Sequence, residues 1–248
     1  MGTRHGQYCK LIHLNLVLAL PSRINPLHYI QSLSFFHPNL ISSLGLLSRQ
    51  ESTFLKRTLD FVVFEAGYQI IQGTRPQTLA YSLSDSPMGL LAWLFEKFST
   101  WSGVKDHRNT LSKPQILNHV TLYYMTNSIG SSLRIYREHI FTGEVFKLAL
   151  EYCPTPTACS IFPGDLFSAP KSWTAHRFNL IDWKVHDGGG HFAAMEKPKE
   201  LCQDILCALK KYKQGGQDFS SVFGSTLEKG LKIGVVGLGA VYAIKCML

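Results

Sequence analysis

The stretch "WKVHDGGGHFAAMEKP", residues 183–198, has the residue types and the spacing that best suit chemistry. Three consecutive glycines precede His191, and the residues after it are typical of a helix start. Glycine is favoured where a backbone turns tightly or approaches another group closely, so this pattern indicates a loop that presents a histidine. An imidazole titrates near neutral pH and can act there as a general acid or base. A capped turn with an incidental imidazole is the alternative, and the local sequence supports both about equally.

A histidine that acts as a base needs an acid to orient its ring, and two aspartates are candidates. Asp165 lies in "SIFPGDLFSAP", residues 160–170, in the loop after the preceding predicted strand. The ends of parallel strands lie side by side at one edge of a sheet, so Asp165 is within reach of His191. Asp187 is the competing candidate, but three glycines and a turn would have to fold it back. From the residues alone, a plain turn residue beside Pro-Gly is the better supported interpretation of Asp165.

Two tyrosines stand in contexts that suit hydrogen-bond donation. Tyr68 directly follows Gly67, where a helix is predicted to end, and Tyr136 lies in "SSLRIYREH". A phenolic hydroxyl that projects from a helical cover into a pocket can donate a hydrogen bond to developing negative charge. Most tyrosines pack in cores or interfaces, and without further information that remains the favoured interpretation of these two.

The elements around these residues predict an α/β fold. Residues 8–20, "YCKLIHLNLVLAL", predict a buried strand that ends before Pro21. Residues 145–152 and 178–185 predict two further strands, each followed by a loop rich in proline or glycine. Residues 197–212 predict an amphipathic closing helix. The succession of strand, loop and helix is typical of a sheet with short parallel strands.

Between the first two strands, residues 25–140 predict a helical insertion that covers one end of the sheet. Within it, residues 51–66 predict a helix that ends at Gly67. Its spacing places five apolar side chains on one face. These are Phe54, Leu55, Leu59, Val62 and Val63.

Capping signals mark the later helices of this insertion. Ser86 is predicted to cap a helix with Pro87 at its first position. Ser112 and Gln115 have the spacing of a capping box. A shorter helix is predicted over residues 131–139.

Length and composition favour an ordered protein with apolar surfaces or pockets. The chain has 248 residues, of which 45% are hydrophobic and 17% charged. Its net charge is +8, but lysines and arginines are scattered, so we predict a solvated basic surface and no nucleic-acid partner. The six cysteines form no CxxC pair and no Cys/His framework, which argues against a zinc site. We therefore expect reduced thiols and no metal.

The two ends of the chain differ from the rest. The opening "MGTRHGQYCK" lacks the apolar region of a signal peptide. Residues 214–248 form a Gly-rich apolar tail, whose uncharged run 233–244 is shorter than the roughly 20 residues of a spanning helix. A packed or aberrant terminus is favoured over a membrane-contacting tail.

Three stretches together resemble the epoxide hydrolases of the microsomal type, a group that includes the insect juvenile-hormone epoxide hydrolases. They are "GYQIIQGTRPQTLAYSLSDSPMGLLAWLFEKFSTWS" (67–102), "LYYMTNSIGSSLRIYREH" (122–139) and "GGGHFAAMEKPKELCQDI" (188–205). The resemblance extends over about residues 8–212 in the family's order, and the first stretch is highly specific.

The resemblance implies the carboxy-terminal part of an α/β-hydrolase, with an incomplete sheet and a helical cap. Residues 1–24 are expected to be a start fragment with one core strand, and residues 25–140 the cap. Residues 141–213 would form the carboxy-terminal part of the hydrolase core. Residues 214–248 lie outside the resemblance.

A two-step hydrolysis is what the family's chemistry implies. A carboxylate opens the epoxide to an ester while two tyrosines donate hydrogen bonds to its oxygen, and a histidine then activates water. Carried over position by position, Tyr68 and Tyr136 match the oxygen-binding tyrosines, and His191 matches the base. Asp165 matches the orienting acid, often Glu in the family. The approach "HDGGGH" has one residue more than the family's usual one.

The family's aspartate nucleophile has no counterpart in these residues. It precedes the segment matching residues 8–20, whereas here only Met1–Gln7 stand before that segment, with no aspartate. No G-x-D-x-G elbow is present. We expect a chain truncated before its nucleophile and inactive alone. The alternative is a non-catalytic fragment or pseudoenzyme that binds hydrophobic ligands or a full-length paralogue. An esterase is disfavoured because there is no G-x-S-x-G motif.

The resemblance also implies partners and location. The substrates would be a lipophilic epoxide and water, without a cofactor, in the detoxification of compounds such as aromatic hydrocarbons. The endoplasmic reticulum membrane is the implied location, with membrane association as a possible property of the chain.

Overall fold

A parallel three-stranded sheet forms the centre of the computed structural model. Its strands are β1 (Ile12–Leu14), β2 (Cys153–Ile161) and β3 (Phe178–Val185), in the order β1-β2-β3. β3 has the predicted bounds 178–185. The structure describes residues 2–22, 24–103, 111–143, 149–215, 232–237 and 240–245.

The prediction of a buried strand and its exit over residues 8–20 is right about the presence of a strand but wrong about its burial and extent. β1 has three half-buried residues, and it pairs with β2 only from Thr157 to Cys159. The chain then bends and forms a separate parallel bridge between Val17 and Ser168. The apolar run is therefore divided between a short strand and a buried crossing.

The prediction of the second strand is also wrong, because β2 starts at Cys153 rather than within residues 145–152. Residues 149–150 are helical, and residues 145–148 lie outside the described residues. Pro154 and Pro156 argue against a strand in the sequence, since proline donates no ladder hydrogen bond. The structure accommodates them with a register shift between positions 153 and 156.

Helices fill the block between β1 and β2. They are α1 (Pro26–Ser32), α2 (Pro38–Ser43), α3 (Arg49–Asp60), α4 (Gly67–Thr74), α5 (Pro76–Asp85), α6 (Pro87–Thr100), α7 (Lys113–Met125) and α8 (Ile129–Phe141). A 3₁₀ turn, Leu33–Phe35, joins α1 to α2, and a π-helical turn, Phe61–Glu65, separates α3 from α4.

The predicted caps of α6 and α7 are confirmed. Ser86 Oγ accepts a hydrogen bond from the Gly89 amide at 3.0 Å. Ser112 and Gln115 form the reciprocal capping box. The predicted short helix 131–139 is extended at both ends in α8.

The predicted helix over residues 51–66 is interrupted by the π-helical turn. Val62 and Val63 are 60% and 61% exposed, contrary to their predicted place on the buried face. A π turn inserts an extra residue, which rotates the following side chains away from the α-helical period. Phe61 is the buried residue here, and Gly67 starts α4 rather than ending a helix.

Two layers of helices enclose the sheet. Cys159 and Ile161 of β2 face a core built with Leu55 of α3 and Trp173 of α9 (Lys171–Arg177). The alternate face contacts α11 (Pro198–Gln214), which follows the short helix α10 (Ala193–Glu196). A separate apolar cluster joins α5, α6, α7 and α8 around Leu90.

The tail contributes an antiparallel strand pair, β4 (Lys232–Gly237) and β5 (Ala240–Lys245). Over the part of the chain that the structure describes, we find no helix with both the length and the apolar character of a membrane span.

Candidate active site

The predicted acid and base lie side by side at the carboxyl ends of β2 and β3. Asp165 follows β2 and His191 follows β3, and their Oδ1 and Nδ1 atoms are 2.9 Å apart. The imidazole is 14% exposed and the carboxylate 3%. Asp187, the competing candidate, has an exposed side chain. Neighbouring parallel strands thus bring together two residues 26 positions apart.

One oxygen of the Asp165 carboxylate accepts hydrogen bonds, and the other has none from the described residues. Its Oδ1 also accepts a hydrogen bond from the Leu166 amide at 2.7 Å. Its Oδ2 is buried and has no hydrogen-bond partner among the described residues. Arg57 of α3 donates to the backbone carbonyls of Pro163 and Asp165, which fixes the loop.

Close backbone packing explains one of the three glycines before His191, and a positive φ explains a second. A Cβ on Gly190 would lie 2.1 Å from the Gly103 amide nitrogen, and a Cβ on Gly164 would lie 2.4 Å from Gly103 Cα. Gly189 has a φ of +97°, which disfavours any side chain. Gly188 would make only ordinary contacts, the nearest at 3.7 Å. Three loops therefore meet backbone to backbone beneath the histidine.

Trp101 lies between the predicted base and the predicted tyrosines. Its carbonyl accepts the His191 backbone amide at 3.0 Å, and its ring is perpendicular to the imidazole at 5.5 Å. The same indole ring is 5.0 Å from the Tyr68 ring. Sequence reasoning missed Trp101, although it lies in the specific stretch 67–102.

Tyr68 of α4 and Tyr136 of α8 lie next to each other. Their ring centroids are 5.8 Å apart at 75°. Gln69 Nε2 donates to Tyr68 Oη at 2.9 Å. Burial raises the pKa of both phenols, so both stay protonated at neutral pH and can act as donors.

A cation borders the tyrosine pair. Lys97 Nζ lies 5.1 Å from the centroid of Tyr68, 5.7 Å from that of Trp93 and 5.0 Å from that of Trp101. The Lys97 side chain is 16% exposed and pairs with Glu96 at 2.6 Å. Positive charge thus lies over electron-rich rings on one side of the site.

The arrangement supplies two chemical capabilities on the two sides of one indole ring. One side has a carboxylate-bound imidazole, suited to accept a proton from water. The other side has two neutral phenols, suited to donate hydrogen bonds to an anionic oxygen. Within the described ranges, no cluster of three or more His, Cys, Asp or Glu side chains is arranged to hold a metal ion.

A parallel sheet with an acid and a base at its carboxyl edge, beneath a helical cap, defines an α/β-hydrolase with a cap. Comparison with known proteins gives the family within that class. No family model matches the chain. It is 31% identical to epoxide hydrolase 1 of Sus scrofa in an alignment of 225 positions that covers 81% of this chain and 48% of the pig protein.

Two further comparisons also match epoxide hydrolases. Juvenile hormone epoxide hydrolase 1 of Ctenocephalides felis is 40% identical over 161 residues, covering 60% of this chain and 34% of the flea protein. The structure of Aspergillus niger epoxide hydrolase matches with a TM-score of 0.69 and 32% identity, covering 85% of this chain and 48% of that protein. The chain is therefore related by sequence and by fold to the epoxide hydrolases, and it spans a third to a half of these relatives' length.

Proposed function

We propose that these residues take part in the hydrolysis of lipophilic epoxides to diols through an ester intermediate. His191 is the general base, Asp165 orients it, and Tyr68 and Tyr136 bind the epoxide oxygen. The observation that carries the proposal is the contact of Trp101 with both His191 and Tyr68, which links the two pairs in one site. The associated domain division has the cap at residues 25–140 and the hydrolase core at residues 141–213.

The phenols serve the first step. A carboxylate attacks one epoxide carbon and forms an ester bond as the carbon–oxygen bond of the ring breaks. The departing oxygen becomes an alkoxide, which accepts hydrogen bonds and then a proton from the tyrosine pair. Both phenols have a pKa raised by burial, so each is protonated and can donate a hydrogen bond as that charge develops.

The imidazole serves the second step. The Nδ1–H of His191 donates to Asp165 Oδ1, which leaves Nε2 free of a proton and able to accept one from water. The resulting hydroxide attacks the ester carbonyl, the diol leaves, and the carboxylate is restored. The imidazolium is stabilised by Asp165 until its proton is returned, through solvent, to the tyrosinate left by the first step, which restores both groups.

The ester-forming carboxylate is a separate requirement. The sequence has no G-x-D-x-G elbow, and none of the four assigned residues takes this role. We propose that turnover needs such a carboxylate from outside these 248 residues, whether on the same longer polypeptide or on another one. The 248-residue chain alone is then expected to be inactive.

The test measures diol formation from a radiolabelled lipophilic epoxide. The purified chain is incubated alone and with the nucleophile-bearing amino-terminal region of a relative. We expect diol only in the mixture, and none when the chain carries His191→Ala. Asp165→Asn should lower the rate, whereas Asp187→Asn is the matched control at an exposed aspartate. Turnover in the mixture that is unchanged by His191→Ala, or no turnover in any mixture, contradicts the proposal.

Association with the endoplasmic reticulum membrane is a further part of the proposal. It rests on the resemblance to epoxide hydrolases of the microsomal type. Fractionation of cells expressing a tagged chain tests it, and recovery outside the membrane fraction contradicts it.

A further inference from the structure

The Glu196 side chain of α10 accepts hydrogen bonds from the two loops around His191. Its Oε2 accepts a hydrogen bond from the backbone amide of Gly103 at 2.8 Å, and its Oε1 accepts one from the backbone amide of Phe192 at 3.0 Å. The Gly190 amide also stabilises the charge of this carboxylate. One side chain therefore accepts hydrogen bonds from two backbone amides, with a third amide beside it, and both of its oxygens are used.

These amides belong to the two backbone segments that enclose the imidazole. Gly190 and Phe192 are the chain neighbours of His191, and Gly103 lies two residues after Trp101. The His191 amide itself donates to the Trp101 carbonyl at 3.0 Å. Glu196 thus joins the segment that carries the histidine to the segment that carries the indole.

The cost of burial argues against a merely incidental carboxylate. Burial raises the pKa of Glu196, since a charged carboxylate is poorly solvated there, and the nearby Asp165 charge acts in the same direction. The three amides oppose this shift by stabilising the charged form. Hydrogen bonds to an ionised acceptor are stronger than neutral ones, so these contacts can hold two loops in place.

We propose that Glu196 is a positioning residue, which fixes the backbone on both sides of His191 so that the imidazole meets Asp165. Its catalytic consequence rests on the proposed function, but its effect on the His191–Asp165 hydrogen bond does not. The tight glycine contacts depend on the same alignment, because Gly190 and Gly103 approach each other only when the two segments are held together.

The first experiment measures the hydrogen bond directly. The Nδ1–H of His191 bound to a buried carboxylate is expected to give a low-field proton NMR signal, identified by its loss in His191→Ala. Glu196→Gln keeps the size of the side chain but replaces one acceptor oxygen with an amide NH₂ that faces a backbone N–H. We expect the signal to broaden or disappear. Glu200→Gln is the matched control, because Glu200 forms a partly exposed ion pair with Lys197 at 3.7 Å.

The second experiment separates the two chemical steps in the mixture that contains a nucleophile. Glu196→Gln should slow hydrolysis of the ester roughly 10- to 100-fold, as expected when a catalytic group is misplaced by about 1 Å. Formation of the ester should stay near the rate of the unaltered chain. Glu196→Asp retains both acceptor oxygens and should restore part of the hydrolysis rate and of the NMR signal.

The outcomes are distinguishable. A sharp, unshifted NMR signal in folded Glu196→Gln overturns the inference. If that variant does not fold, Glu196→Asp is used, and an unchanged signal there overturns it. A signal that responds to Glu196→Gln in a chain that gives no diol with any nucleophile supports the positioning role and contradicts the proposed function.

Discussion

Two histidine–aspartate pairs lie at the ends of the same strands, and they differ in what else holds the carboxylate. His191 Nδ1 is 2.9 Å from Asp165, and His186 Nε2 is 2.6 Å from Asp204 of α11. The imidazoles are similarly buried, at 14% and 16% exposure. Burial and residue type therefore do not separate a candidate catalytic pair from a structural one.

The number of partners does separate them. Asp204 also accepts hydrogen bonds from Ser160 Oγ at 2.6 Å and from Lys184 Nζ at 2.5 Å. Although burial opposes it, these donors and His186 hold the pKa of Asp204 below its usual value. The Asp204 carboxylate is saturated, whereas one oxygen of Asp165 has no partner among the described residues. Asp204 therefore joins α11 to the sheet, and the pair of Asp165 and His191 is the one for which we propose a catalytic role.

We expect the largest difference between the two histidine–aspartate pairs in turnover. In the assay with an added nucleophile, His191→Ala should lower diol formation roughly 10²- to 10⁴-fold, the contribution of a general base. His186→Ala should leave the rate close to that of the unaltered chain, because His186 bonds a structural carboxylate. Steady-state product analysis of both variants measures this. Equal losses in the two variants would remove the distinction between the pairs.

Stability should show the opposite ranking. Asp204→Ala leaves His186, Ser160 and Lys184 without their shared acceptor, and we expect a loss of about 3 kcal/mol in the free energy of unfolding. Asp165→Ala removes fewer bonds and should cost about 1–2 kcal/mol. Urea denaturation of both variants gives the two values. A larger loss for Asp165→Ala is inconsistent with Asp204 being the structural carboxylate.

A third prediction concerns how the two imidazoles are held. Gly190→Ala places a Cβ against the Gly103 backbone and should displace His191, with a loss of most turnover. Gly188→Ala, two positions earlier, meets only the end of Lys197 and should be nearly neutral. Assigned NMR resonances of His186 should be unchanged in both variants. Movement of the His186 signals in Gly190→Ala would mean that the two pairs are coupled.

The smallest expected effect is a pH dependence of folding stability, which arises from a histidine near Asp204. His13 of β1 lies 3.1 Å from Ser160 Oγ, and burial lowers its pKa from 6.5 to about 4 despite the attraction of Asp204 and Asp182. The unfolded chain therefore binds a proton below about pH 6.5 that the folded chain does not. Stability should fall between pH 6.5 and about 4, and His13→Gln should reduce that slope. Urea midpoints across this range test it, and an unchanged slope in the variant rejects it.

The sequence predicted the proximity of Asp165 and His191 better than it predicted the bounds of the first two strands. β3 and the caps of α6 and α7 follow from local patterns. The contact between Asp165 and His191 follows from the rule that parallel strands end at one edge. β2 was misplaced because prolines near its start contradict local strand signals, although its register shift accommodates them.

Residues that act through the tertiary structure left no local signal. The Trp101 carbonyl accepts a hydrogen bond from the His191 amide, which is distant in sequence. The Glu196 carboxylate accepts one from the Gly103 amide, which is also distant in sequence. Asp204 likewise finds its partners only in the folded chain, where Ser160 of β2 faces α11. The π-helical turn also has no obvious signature in "FVVFE", and it alone reverses the predicted burial of Val62 and Val63.

That π-helical turn also sets the direction in which Tyr68 points. Each residue of an α-helix advances the side chain by about 100°, so removing one residue from Phe61–Glu65 would rotate the phenol by about that angle relative to α3. A change by a whole turn would restore its angular phase but displace it along the axis. The distance in sequence between α3 and Tyr68 is therefore fixed by geometry, and a single-residue insertion or deletion there would re-aim the Tyr68 phenol without changing Tyr68 itself.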